Sequence, residues 1–453
     1  MVSILIVAFF SFGHLFGWLR SIPEIGDSLG RFRYLVPFYL MILIIAIYLV
    51  NFKLIDTAKI TSILNFVGII LIIFPTFQAT IYLIRINHKY DIENTNLIGG
   101  LTLEKDGPLP DIYFIVLDAY LRQDRLLEDY GYDNSEFIQK LREMGFYVAD
   151  CSRSNYQNTT FSISSTLNLD YVQRLNTSGL LTLTGIDNKL QYLLKNNKVM
   201  TQLKKIGYQT ITFETGFQGT NLSDSDIFYG IVPDSLVEMR LNPFEALLLR
   251  NSAAIIPEGL GIKYLKTFNP LEKFIYSNDV EIIQNILDKL PGTASQENPK
   301  IVFAHIVKPH PPYVFSSDGS ILTDSRYYRG HLGEGINEEF SRKGYVFQIE
   351  YLNSQILPIL EQIIFNSENP PIIILEGDHG SGADEFSNLV AYYGPAKVRN
   401  KLYPSITPVN SFRLIFEEVF GMSYALLPDI SYYAMCNDDC DYKVVEELSP
   451  ECR

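Results

Sequence analysis

The chain has little histidine, little cysteine and less positive than negative charge. Its 453 residues include six histidines and four cysteines, and 51 acidic residues outnumber 37 lysines and arginines, for a net charge of -14. A protein that contacts nucleic acid phosphates needs a basic face, so this balance argues against a nucleic acid partner. Two of the six histidines, His14 and His88, lie in the apolar amino-terminal part. Too few remain to build a site for several metal ions.

The few cysteines are clustered toward the carboxyl end. Cys436 and Cys440 bracket an acidic turn (CNDDC), Cys452 follows closely, and Cys151 lies far upstream. An even number of cysteines fits disulfides and an oxidising compartment. A zinc knuckle and free thiols are the alternatives, and the spacing alone does not choose among them.

Apolar sequence is abundant at the amino end. Three runs there have membrane-spanning length or slightly less: 2–18, 34–50 and 63–84. We expect 1–90 to form about three transmembrane helices of a multi-pass anchor, with earlier spans upstream because the chain starts abruptly in an apolar run. The polar stretch 91–110 has the composition of a linker, and 111–453 is expected to form one globular domain.

Charges in the loops between these runs bear on which side of the membrane the domain occupies. Basic residues in the first loop, in the second loop and after the third run differ in number by only one or two. Counted by the positive-inside rule, they place the large domain in the cytoplasm.

Two continuous apolar runs of the domain end at carboxylates. The run 112–117 (IYFIVL) leads into Asp118, and the run that starts at Ile372 (IIILEGDHG) leads into Asp378 and His379. Such runs are typical of strands buried on both faces of a parallel sheet. Their alternation with helical patterns predicts an α/β domain with a mainly parallel central sheet flanked by helices.

The ends of these strands are candidate ligand positions. Open α/β sheets bind their ligands beyond the carboxyl ends of the strands, and carboxylate and imidazole groups are good ligands for a divalent metal. Asp118, Asp378 and His379 therefore form a candidate site for one ion. A polar turn without any ion is the alternative.

A stretch rich in hydroxyl groups, 155–168 (NYQNTTFSISSTLN), predicts a turn followed by a helix that begins near Ser162. Thr159 or Thr160 could cap that helix, which is the commoner role of such a residue. Alternatively, one of them could be a nucleophile, assisted by the free amides of the first helical turn and by a metal ion. The choice depends on whether the strand-end ligands converge there.

Three histidines of the domain are candidates for contact with a substrate. The segment 301–315 (IVFAHIVKPHPPYVF) carries His305 in a predicted strand, where a hydrogen-bonded core histidine is favoured, and His310 in a proline turn. His310 is the better candidate for contacting an anion or protonating a leaving oxygen. His331, near Arg326 and Arg329, could add positive charge for a phosphate or sulfate, with a solvated loop as the alternative.

The motifs of the domain, taken in order, resemble those of a known group. That group is the alkaline phosphatase and sulfatase superfamily, in its membrane-anchored branch with the lipoteichoic acid synthases and lipid A phosphoethanolamine transferases. The resemblance covers about 111–434. It is carried by four segments: LDAY (117–120), PHPPYVF (309–315), GDHG (377–380) and LYPSITPVNSFRLIF (402–416).

The resemblance implies an alkaline-phosphatase-like domain with one divalent ion, Mn, Zn or Mg. It assigns the ion to four ligands: Asp118, Thr159, Asp378 and His379. Thr159 would be the nucleophile because a serine, Ser162, follows three residues later as in the transferases, and Thr160 is the fallback. His310 resembles the histidine on the substrate side, by a looser match.

The chain departs from the true sulfatases at their nucleophile, a modified cysteine or serine in a C/S-x-P-x-R motif. The segment Cys151-Ser152-Arg153 lacks the proline and the spacing, which argues against a formylglycine sulfatase. The expected function is hydrolysis or transfer of a phospho-substituted head group on a lipid or glycan, outside the membrane and through a phosphothreonine. Sulfate ester hydrolysis and a non-catalytic, membrane-tethered binding protein are the alternatives.

Overall fold

The computed structural model describes most of the chain. The described ranges are 2–20, 32–52, 109–175, 186–231, 270–297, 299–327, 338–382, 384–436 and 440–445, with scattered single positions between them. Two compact units are present, one made of 1–97 and 233–277 and the other of 98–232 and 278–453. The predicted linker 91–110 lies almost wholly outside the described residues.

The first unit contains two apolar helices, α1 (Val2–Arg20) and α2 (Phe32–Asn51). They lie side by side: the Tyr39 hydroxyl donates to the carbonyl of Ala8 (2.8 Å), and the Phe12 ring packs edge-on against Tyr39. Among the described residues, α2 is the one helix long and apolar enough to cross a membrane, and the apolar part of α1 is shorter. The described residues do not support a multi-pass anchor, and most of the third predicted span, 63–84, lies outside them.

The second unit is built on a mostly parallel sheet, which confirms the predicted fold class. Its seven strands lie in the order β2-β7-β6-β1-β5-β3-β4, and only β7 runs against its neighbours. The strands are β1 (Ile112–Leu117), β2 (Tyr147–Val148), β3 (Gln209–Phe213), β4 (Ile227–Tyr229), β5 (Lys300–Ile306), β6 (Ile372–Gly377) and β7 (Val390–Tyr393). The continuous apolar runs thus form the buried strands at the centre.

Helices cover the sheet on both faces. They are α3 (Gln123–Tyr130), α4 (Ser135–Glu143), α5 (Thr159–Asn168), α6 (Ile186–Lys195), α7 (Lys198–Lys205), α8 (Pro270–Lys289), α9 (Glu338–Asn366), α10 (Ala396–Arg399) and α11 (Pro408–Phe420). On one face, alternate β1 side chains such as Phe114 pack in one core with Ile163 of α5 and Phe412 of α11. On the other face, Tyr113 contacts Thr293 of a short 3-10 helix that packs on α9.

A two-stranded hairpin, β8 (Tyr432–Cys436) and β9 (Cys440–Val444), completes the described part of this unit. Cys436 and Cys440, which are opposite each other in these strands, form a disulfide, and Cys151 is also disulfide-bonded. Of the three alternatives for the cysteines, the structure therefore contains disulfides.

Candidate active site

The two strand-end acids lie at the same edge of the sheet. Strands β1 and β6 are parallel neighbours with Leu117 opposite Gly377, so Asp118 and Asp378 follow at equivalent positions. Both carboxylates are buried. The two acids therefore lie close together, as the sequence predicted from the ends of the two apolar runs.

The backbone around the acids is closely packed. A Cβ added to Gly377 would lie 2.3 Å from the carbonyl oxygen of Tyr120. Ala119, directly after Asp118, has φ 61, a left-handed conformation that costs a residue with a side chain free energy. Its amide donates to Oδ1 of Asp378 at 2.9 Å, which ties the two strand ends together.

The acids carry oxygens that lack partners in the protein. Oδ1 of Asp378 accepts from the amides of Ala119 and His379, but its Oδ2 and Oδ1 of Asp118 are buried without a hydrogen bond. Burial and the nearby Asp118 raise the pKa of Asp378. Burial also acts to raise the pKa of Asp118, but the nearby imidazole rings of His305 and His379 outweigh it and hold that pKa well below its usual value.

The His379 ring is oriented by its own chain. Its Nδ1 lies 2.7 Å from the carbonyl oxygen of Gly380, which can only accept, so Nδ1 carries the proton. Its Nε2 faces three groups: Thr159 Oγ1 at 3.3 Å, Asp118 Oδ1 at 3.5 Å and Asp378 Oδ2 at 3.6 Å. Burial lowers the pKa of His379, but the two carboxylates outweigh it and raise the pKa to about 9.

Thr159 is brought to this cluster by helix α5. The helix begins at Thr159, three residues earlier than predicted, because Asn158 is its N-cap and accepts from the amide of Phe161 at 3.1 Å. The capping role is therefore filled by Asn158. The Thr159 hydroxyl points instead toward His379, and Thr160 follows at the next position in the first turn.

An open cleft of about 430 Å³ leads to the Thr159 hydroxyl, and we call it the site cleft. It is lined by Gln157, Asn158, Thr159, Thr160, Phe161, Leu190, Phe217, His310 and His379. His310, predicted as a substrate-side histidine, is thus one of the residues that line the cleft. Its Nδ1 donates to the carbonyl of Pro311 at 2.7 Å, and its amide donates to the carbonyl of Asp118 at 3.1 Å. These bonds hold His310 next to the acid.

His305 has a more central position than the sequence suggested. It is fully buried in β5, as expected of a core histidine, but its Nε2 lies 3.5 Å from Asp118 Oδ2 and has no hydrogen bond. Ligand atoms of His305, Asp118 and Asp378 all lie within 4.8 Å of one another. The signal that could have found it is its place on β5, which pairs in parallel with β1.

The donor set fits a divalent metal ion. Ligands held at zinc-bond lengths in a tetrahedron lie roughly 3.3–3.5 Å apart, and the three distances from His379 Nε2 are 3.3, 3.5 and 3.6 Å. Metal-binding histidines usually donate their other N–H to a carbonyl or carboxylate, as His379 does. Without a cation, two buried carboxylate oxygens would have no partner, which is costly.

Two residues of the sequence analysis remain: His331, a predicted substrate contact, and Cys151, which was argued against as a nucleophile. His331 lies outside the described residues. Cys151 is disulfide-bonded and so is not available as a sulfatase nucleophile.

No protein-family model matches the sequence, and no curated protein matches it. Solved structures to which the chain is similar include the C-terminal periplasmic domain of EptC from Escherichia coli in complex with Zn (12% identity, 71% of this chain and 85% of that chain, TM-score 0.45). Another is the C-terminal periplasmic domain of phosphoethanolamine transferase EptC from Campylobacter jejuni (10%, 68% and 89%, TM-score 0.41). A third is a 2-O GAG sulfatase (12%, 72% and 78%, TM-score 0.41). At these identities and TM-scores, the similarity does not assign an activity to the chain.

Proposed function

We propose that the chain is a membrane-anchored, metal-dependent enzyme of the sulfatase-like branch of the alkaline phosphatase superfamily. It hydrolyses or transfers a phosphate ester or phosphodiester group of a lipid or glycan. One observation carries the proposal: Thr159 lies 3.3 Å from Nε2 of His379, beside two carboxylates with unpartnered oxygens. The ordered motifs of the sequence support the same family.

Asp118, Asp378, His379 and Thr159 would hold one divalent ion. Carboxylate oxygens with imidazole nitrogen suit Zn or Mn better than Mg, which prefers an octahedron of oxygens. When bound, the ion would supply Lewis acidity that lowers the pKa of the Thr159 hydroxyl and neutralises charge on the phosphoryl oxygens.

The residues of the chain would carry the reaction in two steps. In the first, Thr159 Oγ1 forms a bond to phosphorus as the bond to the leaving oxygen breaks, and the hydroxyl proton passes to water. Apart from the Phe161 amide, which Asn158 caps, the first-turn amides of α5 lack intrahelical partners and would stabilise negative charge on the phosphoryl group. In its imidazolium form, His310 donates the Nε2 proton to the leaving oxygen. In the second step, water or an alcohol attacks phosphorus and gives its proton to Nε2 of His310, the bond from phosphorus to Thr159 Oγ1 breaks, and Oγ1 regains a proton from water.

The disulfides favour a domain that works outside the cytoplasm. Cys436 is paired with Cys440, and Cys151 is disulfide-bonded too. Such bonds persist in oxidising compartments and are rare in the cytosol. We therefore prefer an extracytoplasmic domain to the cytoplasmic one that loop charge alone predicts.

Thr159→Ala tests the nucleophile. We expect turnover of an aryl phosphodiester to fall by at least roughly 10³-fold, because no covalent intermediate can form, while the ion stays bound through the remaining ligands. Thr166→Ala is the matched control: Thr166 lies in the same helix, is buried and bonds only the carbonyl of Ser162 among its described partners. Unchanged turnover in Thr159→Ala would refute the assignment, and a loss in Thr160→Ala alone would move the nucleophile to Thr160.

Mass spectrometry tests the covalent step. After incubation of the full chain with a membrane lipid extract, the peptide that contains Thr159 should carry an added phosphoryl-containing group, and the Thr159→Ala peptide should not. Parallel assays with an aryl phosphomonoester, phosphodiester and sulfate distinguish the phosphoryl reaction from sulfate ester hydrolysis. A protein that binds no divalent ion and turns over none of the three would be the non-catalytic alternative.

A further inference from the structure

His305 is held by a pair of buried threonines on the loop that follows β3. Thr220 Oγ1 lies 2.7 Å from Nδ1 of His305, and Thr215 Oγ1 lies 3.3 Å from Thr220 Oγ1. All three side chains are nearly inaccessible to solvent, at 0% exposure for His305, 1% for Thr220 and 3% for Thr215. The two hydroxyls therefore have few partners to choose from.

The protein contacts give this chain of hydrogen bonds a direction. A hydroxyl has one proton to donate. Thr215 donates its proton to the carbonyl of Phe217 at 3.0 Å, since that oxygen can only accept. Its contact with Thr220 then requires Thr220 to donate. With its own proton used, Thr220 can only accept from His305, so Nδ1 of His305 carries a proton.

The direction of these hydrogen bonds determines whether Nε2, the other ring nitrogen of His305, has a proton or a lone pair. In the neutral ring with a proton on Nδ1, Nε2 has a lone pair, and it lies 3.5 Å from Oδ2 of Asp118. A lone pair facing a carboxylate is unfavourable unless a cation lies between them. His379 has the same design, with Nδ1 bonded to a backbone carbonyl and Nε2 facing the carboxylates.

We infer that His305 is a further ligand of the divalent ion and that Thr220 and Thr215 are its positioning residues, which hold the ring in the tautomer that binds metal. The inference rests on the proposed function, because it assigns a ligand to the same ion. It also connects the ion to the site cleft, since Phe217, the residue to which Thr215 is bonded, lines that cleft.

The inference is tested by measuring the Zn²⁺ affinity of the full chain in detergent micelles. The affinity is measured by competition with a chromophoric chelator. Thr220→Val removes the acceptor and should weaken Zn²⁺ binding by roughly 10- to 100-fold, the usual effect of removing such a partner. Thr220→Ser keeps the hydroxyl and should bind within about threefold of wild type. Thr212→Val is the matched control, because Thr212 is a buried threonine of β3 that bonds Leu222 and Ser225 and not His305.

A second variant and an absorption spectrum test the inference even if Thr220→Val loses Zn²⁺ affinity because it misfolds. Thr215→Val frees the Thr220 proton to point at His305, so it should also weaken Zn²⁺ binding although Thr215 does not touch the ring. The absorption spectrum of the Co²⁺-loaded chain should change in His305→Ala, as expected on loss of a nitrogen ligand, and stay unchanged in Thr212→Val.

Two results would overturn the inference in different ways. If wild type binds Zn²⁺ and both Thr220→Val and Thr215→Val bind it equally tightly, or the Co²⁺ spectrum of His305→Ala equals that of wild type, His305 is not a ligand and only this inference fails. If wild type binds no divalent ion, the proposed function fails and the inference fails with it.

Discussion

At the scale of single residues, Ala119 is the least expected feature of the site. It adopts a left-handed conformation, with φ 61, directly after Asp118. Its amide bonds Asp378 and its carbonyl accepts from the Tyr345 hydroxyl at 2.7 Å. Strained residues of this kind persist where the surrounding contacts determine them, and they cluster at functional sites. The strain here supports the position of both acids.

Substitutions at Ala119 should separate backbone strain from packing. Ala119→Gly removes the steric cost of positive φ but loosens the unfolded chain, so we expect unfolding free energy within about 1 kcal/mol of wild type. Ala119→Val places a β-branched side chain in the same conformation at a buried position and should cost about 2 kcal/mol or more. Thermal melting of both variants checks this, and equal melting temperatures would contradict it.

The sequence predicted the site residues unevenly, for physical reasons. Asp118, Asp378 and His379 could be found because each follows a continuous apolar run, and parallel neighbours bring such ends together. The role inferred for His305 could not be found in this way, because it rests on the hydrogen bond to Thr220, 85 residues away, and not on the end of an apolar run. The alternatives for Thr159 stayed open because both Asn and Thr are good caps, and the sequence does not say which one caps α5.

At the scale of elements, the turn after β6 determines where His379 lies. Asp384 holds this turn: its carboxylate accepts from the amides of Phe386 and Ser387, each at 3.0 Å, and from the Ser387 hydroxyl at 2.7 Å. Gly380 closes the turn by donating to the carbonyl of Glu385 at 2.8 Å. Burial acts to raise the pKa of Asp384, but the bonds from Ser387 and Phe386 outweigh it, and the pKa is lowered.

Asp384→Asn should make the protein less stable at neutral pH, by about 1–2 kcal/mol, because hydrogen bonds to the ionised group are lost. A carboxyl group whose pKa is lowered on folding stabilises the protein above its unfolded pKa, near 4, and this stabilisation is lost as the pH falls through the folded value. The difference between wild type and Asp384→Asn should therefore shrink below about pH 4. Melting curves from pH 3 to pH 7 test this, and a difference independent of pH would contradict it.

Elements with one dominant signal were predicted well. The strands β1 and β6 have long apolar runs, and their positions and parallel pairing are as expected. The start of α5 was misplaced by three residues because the first turn, Thr159 to Phe161, is rich in groups that also favour turns. The number of membrane spans could not be predicted from the sequence, since the length of an apolar run does not by itself show whether the run forms a helix that crosses a bilayer.

At the scale of the whole molecule, a bound ion should act on global stability. An ion that binds only the folded chain at 1,000 times its dissociation constant adds about 4 kcal/mol of unfolding free energy. We expect a strong chelator to lower the melting temperature of wild type and Zn²⁺ or Mn²⁺ to restore it. Asp378→Asn, which removes a charged ligand, should respond much less. An equal response in both proteins would place the stabilising ion elsewhere.

The composition of the whole chain bears on the class of partner and on the number of metal ions, but not on the identity of a substrate. The excess of 51 acidic over 37 basic residues argued against nucleic acid, and the six histidines argued for one ion, but neither number identifies a substrate. In the proposed enzyme, substrate choice would depend on the walls of the site cleft, to which residues from 157 to 379 contribute. That shape follows only from the folded chain.

The long separation between Asp118 and Asp378 along the chain has a consequence for biosynthesis. The hydrogen bond between Ala119 and Asp378 joins residues 259 positions apart in the chain. Strand β5, which carries His305, lies between these two residues in the sequence and beside β1 in the sheet. Contacts between such distant residues require closure of a long loop of chain, which slows folding. A nascent chain that has not yet emerged beyond His379 lacks two of the proposed ligands, so metal loading of the proposed site would follow synthesis of most of the domain. Premature termination before this point would yield a chain without the proposed site, rather than one with a weakened site.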